Sequence, residues 1–121
     1  MEKKIYDLRK RSYGYALSTI RFLKGLSKDY ISQTVGKQLL RSATSVGANI
    51  VEAQAGSSRK DFANFYSHAL KSANESQFWL SLIQDSERPS LSRDSSLLDE
   101  TRELANILAS CLLTLKGRKN L

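Results

Sequence analysis

The feature that most constrains this chain is the length over which an apolar period of three and four residues persists. Ile31, Val35, Leu39, Ala43, Val46, Ile50 and Ala53 recur at those steps without a break, a spacing that gathers them on one face of a helix and scatters them over both faces of a strand. Phe62, Phe65, Tyr66, Ala69, Ala73, Leu80 and Ile83 form a second such stripe. Leu97, Leu98, Thr101, Leu104, Leu108, Cys111, Leu112 and Leu115 form a third, and Leu8, Ala16, Ile20 and Leu23 a sparser one at the amino-terminal end. One proline and six glycines interrupt the 121 residues, and no stretch alternates apolar and polar residues long enough for a strand. The expected fold class is all-α.

Punctuation between the stripes divides the chain into four helices. "KGLSKDY" breaks the first from the second, and Gly56 suits a carboxy-terminal cap. Ser58, three residues before Asp61, has the form of a capping box opening the third helix. Pro89 disfavours helical geometry at Arg88, so the third helix is expected to fade near Glu87, and Ser92 is the expected N-cap of the fourth. Short connections make neighbours antiparallel. Burial of four stripes is then met by an up-down-up-down four-helix bundle, one domain over residues 1–121. Tyr13, Phe22, Tyr30 and Trp79 fall off or at the edge of the stripes. They read either as covers for loop ends or as a subunit interface, and the second reading leads to an expected homo-oligomer.

The formal charge of +7 is uneven. Lys3, Lys4, Arg9, Lys10, Arg11, Arg21, Lys24 and Lys28 oppose only Glu2 and Asp7 in the first 28 residues, whereas residues 61–90 are net acidic. Such asymmetry points to an anionic partner, nucleic acid first, although no zinc-finger spacing, RNP motif or recognition-helix signature accompanies it. No apolar run approaches the roughly 20 residues that span a bilayer, and the amino terminus lacks the apolar core and cleavage site of a secretory signal. The expected location is cytoplasmic with no membrane partner, and the single cysteine agrees with a reducing compartment.

Ser45, Asn49 and Glu52 lie four and three residues apart, a polar edge beside the apolar stripe of the second helix. Ser72, Glu75 and Trp79 form a matching edge on the third. Asn49 and Glu52 are expected to specify packing as buried polar groups, with Arg41 as a salt-bridge partner for the glutamates. Gly47 costs up to about 1 kcal/mol against alanine inside a helix, which implies close packing or a slight bend.

"QLLRSATSVGANIVEAQAGSSRKDFANFYSHALKSANES" resembles the central signature of the four-helix bundle proteins encoded in intervening sequences of bacterial large-subunit (23S) ribosomal RNA genes. The matching positions are Gln38, Leu39, Arg41, Ser42, Ala43, Ser45, Val46, Gly47, Ala48, Asn49, Ile50 and Glu52, then Ser58, Asp61, Phe62, Ser72 and Glu75. Ala53 stands where that family frequently has glycine. The resemblance implies a bundle that assembles as a ring-like homopentamer without established enzymatic activity. It also implies kinship to the accessory proteins of diversity-generating retroelements, which bind a reverse transcriptase and nucleic acid.

The catalytic inventory is thin. His68 has no second histidine or cysteine at metal-ligand spacing, and Cys111 falls on an inner stripe with no base to activate it. Glu52 and Glu75 lack a substrate-binding loop. No enzyme, cofactor or metal is expected. Two function classes remain. In one, an oligomer presents Arg9, Lys10, Arg21 and Lys24, reinforced by Lys3, Lys4 and Arg11, to nucleic acid with little sequence preference. In the other, the bundle is a protein-interaction scaffold or an accessory subunit of a reverse transcriptase. Arg41, Ser45, Gly47, Asn49, Glu52, Ser72 and Glu75 are assigned to structure or to the oligomer interface.

Overall fold

The computed structural model describes residues 2–87 and 96–119, with side chains described for 8–87 and 96–117. Four helices account for them: α1 (Glu2–Lys24), α2 (Tyr30–Ala55), α3 (Arg59–Ser86) and α4 (Ser96–Lys119). The expected Ser92 cap and the Pro89 break lie outside the described residues, but α3 does end at Ser86 with Glu87 as its cap.

Cross-helix contacts fix the directions. Ser32 reaches Glu87, Ser42 meets Ser76, and Gly56 lies against Asp61, so α2 and α3 run antiparallel. Gly36 lies under Leu23 and Leu26 while Gly47 lies under Ser12, so α1 runs antiparallel to α2. Tyr15 and Arg11 meet Thr101 and Glu100 of α4. Each helix packs on its two neighbours around a square, most extensively α2 on α3 and least α1 on α4.

Local chemistry sets the ends. Asp29 N-caps α2, its carboxylate accepting the Ser32 amide at 2.9 Å and the Ser27 hydroxyl at 2.6 Å, and these bonds lower its pKa to about 2. Ser58 N-caps α3 by accepting the Asp61 amide at 3.1 Å, as its spacing predicts. Gly56 does cap α2, in extended rather than left-handed conformation. In the first connection Leu26 turns back into the core over Gly36, where a Cβ would stand only 2.9 Å from the leucine methyl.

The core holds Leu39, Ala43, Val46, Ile50 and Ala53 from α2, Tyr66, Ala69, Ala73, Leu80 and Ile83 from α3, and Leu104, Ala105, Leu108 and Cys111 from α4. All of these but Ala105 belong to the expected stripes. Ile31 departs from its stripe at 69% exposed, since it lies in the first turn of α2, beyond the end of the packed layer. Helix α1 departs further. Its inner face is Leu8, Ser12, Tyr15 and Thr19, and Ala16, Ile20 and Leu23 sit at the margin. Three of those four carry hydroxyls that satisfy themselves inside the bundle. Ser12 donates to Arg9 O at 3.0 Å, Thr19 to Tyr15 O at 2.9 Å, and Tyr15 Oη lies 2.7 Å from Thr101 Oγ1.

These groups belong to a buried polar layer to which every helix contributes: Tyr15 and Thr19 from α1, Ser42 from α2, Ser76 from α3 and Thr101 from α4. Ser76 Oγ is 2.8 Å from Ser42 Oγ and also 2.8 Å from Ser72 O. Thr101 donates its single proton to Leu97 O at 2.8 Å. Tyr15 is therefore the donor in its bond to Thr101. Burial is the main cause that raises the Tyr15 phenol above 10.0, its bond to Thr101 and the nearby hydroxyls of Ser76 and Thr19 working against it.

Candidate nucleic-acid interface

The five cations assigned to nucleic acid whose side chains are described do not share one surface. Arg9 and Lys10 are exposed on the wall of a groove of about 920 Å³ between α1 and α2. Arg21 lines a second groove, of about 700 Å³, between α1 and α4, and Lys24 is exposed at the last turn of α1. Arg11 points toward α4, where its Nε and Nη2 each donate to Glu100 at 2.8 Å and Glu103 lies 4.0 Å away. That bidentate pair commits its guanidinium to the bundle. The side chains of Lys3 and Lys4 lie outside the described residues.

The α1/α2 groove owes its shape to small residues. Gly47 brings the backbones together, because a Cβ there would stand 3.2 Å from Ser12 Oγ. Gly47 thus packs closely, as its cost in a helix implies, but against α1. Ala16, Thr44 and Ala48 continue the floor, and Tyr13, 68% exposed, and Val51 form its walls. No described lining residue is acidic. From residue 8 to residue 24 helix α1 has no carboxylate at all, and α2 has only Glu52. The carboxylates gather on the other pair, among them Glu75, Asp85, Asp99, Glu100 and Glu103.

The polar edges of α2 and α3 do come together. Arg41 donates to Glu75 across the seam and to Gln38 Oε1 at 3.0 Å, and the Trp79 indole donates to Glu75 Oε2 at 2.8 Å. Those bonds, the indole first, hold the Glu75 carboxyl below its ordinary 4.5. Ser45 donates to Arg41 O at 2.7 Å and Asn49 to Ser45 O at 2.8 Å, both within α2. Glu52 is exposed and Asn49 half-buried. Neither is the buried polar group that the spacing predicts, because the packed stripe turns toward Ile50 and Ala53 and leaves this flank at the bundle surface.

Sequence reasoning overlooked the hydroxyl layer, the Arg11–Glu100 pair and the place of Tyr13. The signal for the layer was present, since Leu8, Ser12, Tyr15 and Thr19 keep the helical period through polar residues. Tyr66 is a further surprise. Its hydroxyl is buried without an ordinary hydrogen bond, and desolvation, with the charge of nearby Cys111 adding to it, pushes its pKa up to about 12, the Gln54 amide only partly opposing. Cys111 is buried, as expected, and His68 is exposed. Among the described residues no group of three or more His, Cys, Asp or Glu side chains could hold a metal ion. No described helix is long and apolar enough to cross a membrane.

A protein of unknown function from the S23 ribosomal protein family of Bacteroides thetaiotaomicron, known by crystal structure, is 34% identical to this chain. The likeness covers 90% of this chain and 97% of that one, with a TM-score of 0.80. No curated protein matches. Residues 4–110 match the 23S rRNA-intervening sequence proteins. With a bundle fold shared over nearly all of both chains, this chain belongs to the 23S rRNA-intervening sequence protein family.

Proposed function

We propose that this chain is a non-enzymatic, homo-oligomeric helical bundle, a ring-like pentamer by family resemblance, that binds nucleic acid through its α1 side with little sequence specificity. The observation that carries the reading is the segregation of charge. Arg9, Lys10, Arg21 and Lys24 stand on a helix without carboxylates between residues 8 and 24, while acidic residues collect on the opposite pair of helices. Phosphate contacts of this kind position a strand without reading it. An oligomer multiplies the effect by repeating the +7 chain. The subunit contact is assigned to the α2–α3 flank, where Arg41, Ser45, Asn49, Glu52, Ser72 and Glu75 lie and where Phe78 is 59% and Ile31 69% exposed. The same apolar exposure favours a second reading, an accessory subunit docking a protein such as a reverse transcriptase.

The test is the quadruple substitution of Arg9, Lys10, Arg21 and Lys24 by glutamate. Light scattering should give a multiple of the 13.6 kDa chain for wild type and variant alike. Wild type should bind RNA or DNA with a log–log salt slope of about −0.7 per phosphate neutralised on single strands, and the variant should not bind at moderate salt. A monomer at micromolar concentration refutes the assembly, and absence of binding by wild type even at low salt favours the docking reading.

A further inference from the structure

The α1/α2 groove has features that phosphate neutralisation alone does not need. We propose that it takes single-stranded nucleic acid specifically, seating an unpaired base against the ring of Tyr13 while the flanking phosphates lie on Arg9 and Lys10. The proposal rests on the nucleic-acid reading above and adds to it the class of strand and the group that selects it.

Three observations converge. A tyrosine ring 68% exposed on a groove wall is an open stacking face, and every base has a π-face to offer it. The floor is built from Ala16, Gly47 and Ala48, and the approach of Gly47 to Ser12 leaves no side chain standing in the groove there. A flat aromatic group can therefore reach the floor as well as the wall. The rim is cationic and the described lining has no carboxylate, so a polyanion meets no opposing charge. Further along the same two helices, Lys24 and Lys37 are exposed at one level, set by the Leu23 contact with Gly36. They stand about 22 Å from Arg9 at 1.5 Å per residue, which continues the track for the backbone beyond the base-sized slot. A duplex keeps its base faces stacked and covered, and so offers this groove its phosphates alone.

The experiment measures fluorescence anisotropy of a labelled oligo(dT) of about 15 nucleotides, a length within reach of a single-strand groove. It is compared with a duplex of the same length at the same salt, using the full chain. Tyr13→Ala should weaken oligo(dT) binding about 5- to 150-fold, the range that loss of one stacked base produces, and leave duplex binding unchanged. Tyr13→Phe should retain oligo(dT) affinity, because the ring and not the hydroxyl does the stacking. The exposed side chain makes both variants compatible with the fold, which circular dichroism checks. Equal affinity for duplex and single strand in wild type, or unchanged oligo(dT) binding by Tyr13→Ala, overturns the inference while leaving general nucleic-acid binding intact. A lower assembly mass for Tyr13→Ala overturns it too, since the groove would then seat a second copy of the chain. Failure of wild type to bind either probe at low salt sinks the broader reading instead.

Discussion

Replacing Thr101 by valine and Tyr15 by phenylalanine, singly and together, interrogates the buried hydroxyl layer. The Thr101 proton goes to Leu97 O at 2.8 Å, so the 2.7 Å bond to Tyr15 is donated by the phenol. The two single variants are then unequal. Tyr15→Phe removes the donor and leaves Thr101 with its own bond to the helix, a loss of about 0.5–1.5 kcal/mol for one net hydrogen bond. Thr101→Val keeps the shape but strands a buried phenolic donor, a loss of about 1–3 kcal/mol. The hydroxyls of Ser76 and Thr19 lie close enough to Tyr15 to place that loss toward the lower end. With both partners apolar nothing is stranded, so the double variant should be more stable than Thr101→Val alone, a coupling of about 0.5 kcal/mol or more. Urea unfolding followed by circular dichroism at one protein concentration supplies all four corners of the cycle, the fixed concentration being needed because association feeds into apparent stability. Strict additivity would refute the pairing.

Two further outcomes follow from the packing. Gly47→Leu should destabilise by about 1–3 kcal/mol through overpacking against Ser12 and should weaken oligo(dT) binding by filling the groove floor, read by thermal melting and anisotropy on one sample. Tyr66→Phe removes a buried hydroxyl that lacks an ordinary hydrogen bond, so it should be neutral to stabilising by about 1 kcal/mol at neutral pH. Because the folded-state pKa of Tyr66 is raised from 10.0 to about 12, its stabilising linkage is whole below pH 10 and lost as pH rises toward about 12. Wild type should therefore lose stability over that interval in excess of Tyr66→Phe, and parallel alkaline melting curves would count against the buried phenol.

Helices α2, α3 and α4 were legible because their inner positions are filled by aliphatic and small apolar residues, whose recurrence is visible without coordinates. Helix α1 was less so. Its inner face mixes Leu8 with Ser12, Tyr15 and Thr19, and a count of apolar residues draws the stripe one position off, through Ala16, Ile20 and Leu23. Short hydroxylated side chains can serve their own preceding carbonyls, which lets them enter a core with no apolar label. The charge asymmetry was plain in the sequence, but its distribution was not. Arg11 is neutralised by Glu100, a residue 89 positions away, and no local pattern announces such a pair. The edge containing Asn49 and Glu52 was correctly placed beside the core. Its depth was not, because a helical period gives a residue's direction and leaves open how far the neighbouring helix covers it.

The partition of charge between the two helix pairs also has a kinetic meaning. With most of the net positive charge on α1 and the carboxylates of α3 and α4 offsetting nearly all of the cations there, each bundle has an electric dipole across its width. A polyanion is drawn toward the α1–α2 side of each bundle before contact, and productive encounters are enriched over random collisions. The attraction acts over roughly a Debye length, about 8 Å at physiological ionic strength. Added salt should therefore shorten the reach of this attraction and slow association, whereas a base already stacked in a groove leaves at a rate governed by short-range contacts that salt screens far less.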